Sequence, residues 1–486
     1  MRRILLAVLT AALLLATALP AAAHPRTSLD ATLPTDLTYK ATDNIEYLGR
    51  FPEHTGTAGG TASPDKTRFF ITDPRGVFAY DTTKPETPKL LGFLPLFQHG
   101  SGTGAALAQE DPNTNGKILL VDGSPTPQGS PALQVVDVSD PTKMTVLSSV
   151  AVTDHTWSCV SSTDALGVVN SCGYAYGRTG HIIDLTDPAA AKLLPTKWRT
   201  AVNYPSAYTH DLTEIRSGLV MSSGATNILM DTRNPAAPVR LAAIEQKGRF
   251  PSLGYHSVEW ANGGRDPYLI MGTEIAPAGS TNAAGSDCKG DNSVIETWDA
   301  RSIVTAVDNY EAGMPYAEAF AGAAFTKVDA YEVNGRGLFL DGAAPAHVLY
   351  CAHWMELHPD FAGGGLMTVS YYDRGTRIVE VGADGVMTEK GWIVPAEGYS
   401  GSSQWISDDV LYIMDYRRGM EVIRLKPTPA TGVSEDRPAA IAVGSQYVPR
   451  SALHLHQVRK LTAGSFGLLL VGFAVKRRRR GVSLLG

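Results

Sequence analysis

The chain has 486 residues, of which 44% are hydrophobic and only 19% are charged. Its 48 glycines and 30 prolines exclude a body of long helices and fit one made of short strands and many turns. The segments 1–23 and 461–486 hold seven Lys/Arg and no Asp/Glu, so the remainder carries 35 basic against 48 acidic residues, a net charge of −13. That charge argues against binding to nucleic acid or anionic lipid through net charge.

The N-terminus, 1–23, is predicted to be a secretory signal peptide. It reads "MRRILLAVLTAALLLATALPAAA", with a basic start, an apolar stretch and small residues at the cleavage site. We therefore expect an exported protein, in which residues 24–43 form an N-terminal leader. In an exported chain, an even number of cysteines indicates disulfides.

Seven copies of one strand pattern follow along the chain. In five copies an apolar run ends in an aspartate, which Glu380 and Arg424 replace in the last two, and in the best copies a proline comes four residues later, as in "LQVVDVSDP" and "HIIDLTDP". The aspartate favours a turn and proline cannot continue a ladder, so each strand should end there and turn back into a hairpin. The copies lie at 77–85, 133–141, 181–188, 227–235, 294–302, 377–385 and 420–427.

Each copy is preceded by another apolar strand and most are followed by one, and with the strand led by a histidine this gives about four strands per unit. Seven four-stranded units predict an all-β fold, a seven-bladed β-propeller over 44–426. The last copy has three strands, so the early strand "NIEYLGRF" (44–51) should complete the last blade and remove its open edge. A β-sandwich or two β-domains are the alternative, but no change of composition divides the body.

The four cysteines are Cys159, Cys172, Cys288 and Cys351. The stretch "CVSSTDALGVVNSC" should fold back near its middle, which places Cys159 opposite Cys172 on facing strands, within bridging distance. A disulfide between these two leaves Cys288 to pair with Cys351.

In successive blades a histidine stands at the start of the first strand. It lies about one strand and one turn before the second strand of that blade. Blade seven has Gly401 in the corresponding place. Because inner strands of a propeller line its axis, these side chains should meet at one mouth, and neutral imidazoles there would bind a transition-metal ion such as copper, iron or zinc. The predicted ligands are His155, His210, His256 and His353, extended by His54 and His99.

Three carboxylates, Glu214, Glu259 and Glu356, follow their histidines by three or four residues and could orient the imidazole rings. The alternative to a metal site is a purely structural role for the histidines. Each histidine could instead bond the backbone of the neighbouring blade and close the channel.

The C-terminal part is predicted to be a linker, 427–460, and a transmembrane anchor, 461–480. Fifteen uncharged, mostly apolar residues precede Lys476 and four arginines, which should stay on the cytoplasmic side. The protein would then be exported and held at the outer side of the cell membrane.

The copies "LQVVDVSDP" and "HIIDLTDP", and the stretch 351–381, resemble the LVIVD repeat of exported bacterial surface β-propellers. The resemblance covers about 44–426 and implies an exported, often anchored propeller. A more distant similarity links the pattern to the selenium-binding or methanethiol-oxidase propellers, which are metal-associated, but no residues are carried over from them.

Two functions follow from these features. The first is a surface-anchored binding or scaffold module with a histidine-lined axial site, whose partner is an extracellular protein or a small molecule. The second is a metal-dependent extracellular oxidase or oxygenase. The sequence contains no G-x-S-x-G motif, P-loop or dinucleotide fingerprint, so no catalytic residue is assigned.

Overall fold

Seven antiparallel sheets arranged as the blades of a β-propeller make up the fold. The computed structural model describes residues 39–427 except 58, 98–109, 127–128, 206–208, 246–253, 274–293, 334–351, 373 and 396–397. The predicted signal peptide and C-terminal anchor lie outside the described residues, as do Cys288 and Cys351. Within the described part of the chain, no helix has the length and hydropathy needed to cross a bilayer.

Two strands near the start, β1 (Tyr39–Ala41) and β2 (Ile45–Phe51), belong to the last two blades. Blade one consists of β3 (Gly60–Ala62), β4 (Arg68–Asp73), β5 (Gly76–Asp81) and β6 (Lys89–Pro95). Blade two consists of β7 (Asn113–Thr114), β8 (Ile118–Gly123), β9 (Ala132–Asp137) and β10 (Thr145–Val150). Blade three consists of β11 (Trp157–Thr163), β12 (Val169–Gly177), β13 (Ile182–Asp184) and β14 (Lys192–Leu193). Blade four consists of β15 (Thr209–Arg216), β16 (Leu219–Gly224), β17 (Thr226–Asp231) and β18 (Val239–Glu245).

Blade five consists of β19 (Tyr255–Glu259), β20 (Tyr268–Thr273), β21 (Val294–Asp299) and β22 (Thr326–Glu332). Blade six has β23 (Met355–Leu357), β24 (Gly365–Ser370), β25 (Thr376–Val381) and β26 (Met387–Pro395), and β1 adds a fifth strand. Blade seven has β27 (Ser400–Trp405), β28 (Val410–Asp415) and β29 (Gly419–Leu425), with β2 as its outermost strand.

The seven predicted copies of the strand pattern are the third strands of the seven blades. Their aspartates make the turns expected of them, since Oδ1 of Asp81, Asp137 and Asp184 each accepts a hydrogen bond from the backbone N–H two residues on, at 2.9 Å. The side chain thus completes the turn at the end of the strand. The predicted propeller with seven blades is confirmed.

Closure of the ring uses the N-terminal strand, as predicted. Strand β2 pairs with β29 in an antiparallel register that runs from Ile45 opposite Leu425 to Phe51 opposite Met420. Strand β1, inside the segment assigned to the leader, pairs with β26 and covers the outer edge of blade six. The start of the described chain therefore closes the edges of two neighbouring blades.

The hydrophobic core is divided into layers between neighbouring blades. Leu219 of blade four, for example, packs in one cluster with Leu269 of blade five. Trp157, Trp198 and Trp405 are among the largest fully buried side chains. Each fully buried large apolar side chain stabilises the fold by about 1.5–3 kcal/mol, so every blade depends on both of its neighbours.

Blade five departs from the pattern after Asp299, where proline is missing from the repeat. The chain enters a helix there instead of returning directly as the outer strand. The helices in the described part of the chain are α1 (Trp198–Ala201), α2 (Ala261–Gly264), α3 (Arg301–Glu311) and α4 (Tyr316–Ala319), with 3-10 turns at Pro52–His54 and Pro188–Ala190. Helix α3 buries Ile303, Ala306 and Val307, whose spacing places them on one face of the helix.

The predicted disulfide between Cys159 and Cys172 is confirmed. It joins β11 to β12, and the two Cα atoms are 4.6 Å apart. The bridge therefore lies across the hairpin of the two inner strands of blade three.

Candidate functional site

Four of the predicted histidines meet where the inner strands of four consecutive blades begin. His210 and His256 are the second residues of β15 and β19, while His155 and His353 precede β11 and β23 by two residues. The imidazole centroids of neighbours along this series are 5.0, 3.6 and 4.4 Å apart. The repeat thus brings four imidazoles to one mouth of the propeller axis, which we call the axial mouth.

Hydrogen bonds between blades hold these residues in register. The Oγ1 of Thr156 donates to the carbonyl oxygen of His210 at 2.9 Å, and Nδ1 of His210 donates to that of His256 at 3.1 Å. In the next blades, Oγ of Ser257 donates to the carbonyl oxygen of His353 at 3.2 Å, and Nδ1 of His353 donates to that of Gly401. The structural interpretation made from the sequence, imidazoles bonded to neighbouring backbone, is therefore true of His210 and His353.

These bonds also decide which ring nitrogen faces the axis. A carbonyl oxygen only accepts, so Nδ1 of His210 and of His353 carries the proton, and in the neutral ring Nε2 then holds a lone pair. Metal-binding histidines have this arrangement, with the second nitrogen donating to a backbone carbonyl. The backbone bonds and a metal site are therefore compatible.

Glu110 lies at the centre of the four imidazoles. Its Oε2 is 2.8 Å from Nε2 of His155 and 3.7 Å from Nε2 of each of His210, His256 and His353. Side chains of the latter three are at most 3% exposed, whereas that of His155 is 24% exposed. The cluster is thus buried on one side and open to solvent beside His155.

Electrostatics keeps the buried imidazoles neutral. Burial lowers the pKa of His210 well below its ordinary value, helped by the charges of its histidine neighbours, and burial with the charge of His353 lowers the pKa of His256 to about 3. Burial also lowers the pKa of His353. Burial would raise the pKa of Glu110, but the charge of His155, the hydrogen bond from His155 and the nearby rings of His256 and His353 outweigh it and hold that pKa well below normal.

Aromatic side chains surround the cluster on the side of blade six. The ring of Trp354 lies 4.8 Å from that of His256, and the ring of Tyr372 lies 4.5 Å from that of His353. The hydroxyl of Tyr416 donates to Oε1 of Glu110 at 3.2 Å. These rings restrict how the imidazoles can turn.

Both ring nitrogens of His54, the predicted extension of the ring, have partners outside the group around Glu110. Its Nδ1 lies 3.0 Å from Oδ2 of Asp73 and its Nε2 lies 2.5 Å from the hydroxyl oxygen of Tyr80. His54 is completely buried in blade one, where its ring packs against Phe78. His99 lies outside the described residues.

Two of the carboxylates expected to orient imidazoles have other partners. Glu214 accepts hydrogen bonds from the backbone N–H and hydroxyl of Ser161, at 2.7 and 2.8 Å, and Glu356 accepts one from the backbone N–H of Trp405 at 2.7 Å. They join neighbouring inner strands instead. Burial raises the pKa of Glu214 and of Glu356 to about 7.

Glu110 was missed by sequence reasoning, although a signal for it exists. It precedes Asn113 by three residues, as His353 precedes Glu356. Asn113 and Glu356 play the same part, because each accepts a backbone N–H of the next blade's inner strand, from Cys159 at 3.3 Å in the case of Asn113. Alignment on this polar position would have placed Glu110 where other blades have histidine.

A second group of possible metal ligands consists of His358, Asp360 and Asp408, and it is largely exposed. Both nitrogens of His358 are engaged there. Nε2 donates to the carbonyl oxygen of Asp408 at 2.9 Å and Nδ1 accepts from the backbone N–H of Asp360 at 3.1 Å. Glu110, His210 and His256 form the other such group, at the axial mouth, where Nε2 of His210 holds a lone pair.

Comparison with known proteins adds to the description of the fold. No protein-family model matches the chain, and no curated protein is similar to it in sequence. Among solved structures, the β-propeller domain of Myceliophteria thermophila Cps50 (Swd1) is 10% identical, with a TM-score of 0.50 over 77% of this chain and 98% of that domain. The RRP9 WD40 repeats are 9% identical, with a TM-score of 0.48 over 80% of this chain and all of theirs. At this identity the likeness to Cps50 shows the fold alone, and membership of the LVIVD-repeat family stays a prediction.

Proposed function

We propose that the protein is a metal-binding β-propeller whose functional site is the axial mouth, with a transition-metal ion held by His210, His256 and His353 together with Glu110, and with His155 bonded to Glu110 at the open edge. One observation carries the proposal. The Nε2 atoms of His210 and His353 hold lone pairs, and each lies 3.7 Å from a carboxylate oxygen of Glu110. Two electron-rich groups that face each other repel, and a cation between them would turn this repulsion into attraction.

The set of donor atoms indicates the kind of ion. Imidazole nitrogens suit copper, iron, nickel and zinc, whereas magnesium and calcium prefer sites made only of oxygen. Such an ion would supply a Lewis acid, and copper or iron would also supply a redox centre. The burial of three imidazoles in their neutral form favours binding, because a protonated histidine cannot act as a ligand.

In this proposal the propeller acts as a binding module outside the cell. The signal peptide predicted at 1–23 and the anchor predicted at 461–480 would place it on the outer side of the cell membrane. The acidic body and a fold shared with other propellers support recognition of an extracellular protein or a small molecule rather than nucleic acid. The likeness to LVIVD-repeat surface proteins agrees with this location.

A second candidate function is a metal-dependent oxidase or oxygenase. The observation that favours it is the exposed edge of the cluster at His155, 24% exposed beside Glu110, itself 13% exposed. Catalytic metal sites keep one position open, whereas structural sites are closed by protein ligands. Uptake of oxygen by the metal-loaded protein with candidate reductants would separate this function from simple binding.

The test is the metal content of the purified full-length chain after dialysis against a weak chelator. We expect one tightly held ion per chain, and we expect loss of the ion in His210→Asn. The control is His358→Ala, which removes the histidine of the other candidate group and should leave the metal content unchanged. A wild-type chain without metal after loading with copper, iron or zinc would contradict the proposal, and loss only in His358→Ala would assign the ion to the exposed group.

A further inference from the structure

The axial mouth contains a carboxylate that is held from two sides. Nε2 of His155 lies 2.8 Å from Oε2 of Glu110, and the hydroxyl of Tyr416 donates to Oε1 at 3.2 Å. A carboxylate only accepts hydrogen bonds when ionised, so His155 uses its Nε2 proton in this contact. His155 therefore differs from His210 and His353, whose Nε2 atoms carry lone pairs.

The backbone of Glu110 is closely packed, whereas its side chain is 13% exposed. A Cβ atom placed on Gly59 would lie only 1.9 Å from the carbonyl oxygen of Glu110, so blade one approaches this residue as closely as glycine allows. The carboxylate, in contrast, meets partly exposed donors, since Tyr416 is half-buried and His155 is 24% exposed. A rotation about side-chain bonds can therefore move the carboxylate without moving the backbone.

We propose that Glu110 is an exchangeable carboxylate ligand of the axial ion, and that a small external carboxylate binds to His155 and Tyr416 when Glu110 turns aside. The inference rests on the proposed metal site. His210, His256 and His353 are then the permanent ligands of the ion, and His155 and Tyr416 position the carboxylate. The ligands that bind at the open edge are monocarboxylates. The same two donors that hold Glu110 would recognise such a molecule.

The chemistry requires no change of charge at the site when the exchange occurs. Glu110 and an external carboxylate are both monoanions with two acceptor oxygens, so each can satisfy His155 and Tyr416 and face the ion at the same time. A neutral ligand lacks the negative charge, and a small anion needs little more room than the carboxylate of Glu110 that it replaces. A small monoanion such as formate is thus the best probe of the position.

The experiment uses the full-length chain and Co²⁺, whose absorption spectrum reports the ligands around it. We expect Glu110→Ala to weaken Co²⁺ binding about 10–100-fold, the usual effect of losing a residue of the coordination environment, and to change the spectrum. Added formate should restore both the affinity and the spectrum, whereas an equal concentration of chloride should not. In Glu110→Ala/Tyr416→Phe the formate concentration required should rise about tenfold, because one charged hydrogen bond is missing.

A matched control separates positioning from packing. Tyr412 lies in the same blade and donates to the carbonyl oxygen of Pro85 at 2.8 Å, away from the axial mouth. Tyr412→Phe should lower the thermal midpoint slightly and leave Co²⁺ affinity unchanged, while Tyr416→Phe alone should weaken it. Thermal unfolding of every variant confirms that it is folded.

The outcomes are distinct. Failure of the wild-type chain to bind Co²⁺ removes the proposed function itself. If the wild-type chain binds Co²⁺ and Glu110→Ala binds it with the same affinity and spectrum, Glu110 is not a ligand and the inference is overturned. If Glu110→Ala binds weakly but formate has no effect, Glu110 is a fixed ligand and exchange with external carboxylates is refuted.

Discussion

The Nδ1 of His210 donates a hydrogen bond to the carbonyl oxygen of His256, 3.1 Å away, and so joins blade four to blade five at the axial mouth. In the proposed site the same side chain would also bind the ion through Nε2, and substitutions can separate these two roles. Asparagine places its amide nitrogen near the position of Nδ1 but has no group in the place of Nε2.

We expect His210→Asn to keep the bond between the blades and the stability of the apoprotein while it loses metal affinity. His210→Ala should lose both, with a decrease in the free energy of unfolding of about 1–3 kcal/mol because the carbonyl of His256 loses its donor. Chemical denaturation of metal-free protein measures the first quantity and metal titration the second. Equal stability of the two variants would show that the bond contributes nothing.

His54 should behave in the opposite way. It is fully buried between Asp73 and Tyr80, and the carboxylate of Asp73 is itself completely buried. His54→Ala should reduce the free energy of unfolding by about 2–4 kcal/mol, since it leaves a buried carboxylate with fewer donors. Metal content per folded chain should not change, and a loss of metal in this variant would contradict the placement of His54 outside the site.

The difference between His54 and His210 shows what a repeat predicts and what it does not. The strand pattern identified all seven third strands because alternation and turn residues act locally, through Asp81 and its equivalents. The four axial histidines followed from the same symmetry. His54 is the last residue of a turn of 3-10 helix, Pro52–His54, and its ring bonds to Asp73 and Tyr80, and spacing alone does not reveal such a turn.

Glu110 illustrates a second limit of prediction from the repeat. Its blade has the shortest inner strand next to the axis, Asn113–Thr114, so the apolar pattern that marks other inner strands is nearly absent. The tertiary contacts with His155 and Tyr416 that define its role join residues distant in sequence. Likewise the partners of Glu214 and Glu356 lie in neighbouring blades, and a sequence read one blade at a time does not include them.

Deletion of 44–51 should strongly destabilise the whole propeller. Strand β2 buries Ile45 and Phe51 and pairs along β29, so its loss exposes an unpaired edge as well as apolar surface. The loss of several kcal/mol should lower the thermal midpoint by about 10 °C or more. Deletion of 39–41, which removes only the fifth strand of blade six, is the control and should have a smaller effect.

The disulfide between Cys159 and Cys172 should stabilise the folded protein in solution. It closes a loop with a sequence separation of 13, for which the expected contribution is about 3 kcal/mol. Reduction, or the double variant Cys159→Ala/Cys172→Ala, should lower the free energy of unfolding by about that amount. Peptide mapping without reductant should recover the two cysteines in one linked fragment, and separate fragments with free thiols would refute the pairing.

Glu259 should make the stability of the metal-free protein fall as pH rises. Burial, together with the charges of Glu356 and Asp111, raises its pKa to about 8. A carboxyl with a raised pKa binds its proton more tightly in the folded state, so its contribution to stability is greatest below the pKa of the unfolded chain, near 4.3, and is lost as pH rises through about 8. Glu259→Gln remains neutral at every pH and should therefore be more stable than the wild-type protein at pH 8.5, by on the order of 5 kcal/mol. At pH 4.5 the stabilities of the two proteins should be close to equal.

The buried histidines, whose depressed pKa values affect stability in the opposite direction, are present in both proteins and cancel in the comparison. Denaturation of both proteins across this pH range in the presence of a chelator measures the difference, and a difference independent of pH would show that Glu259 ionises normally in the folded chain.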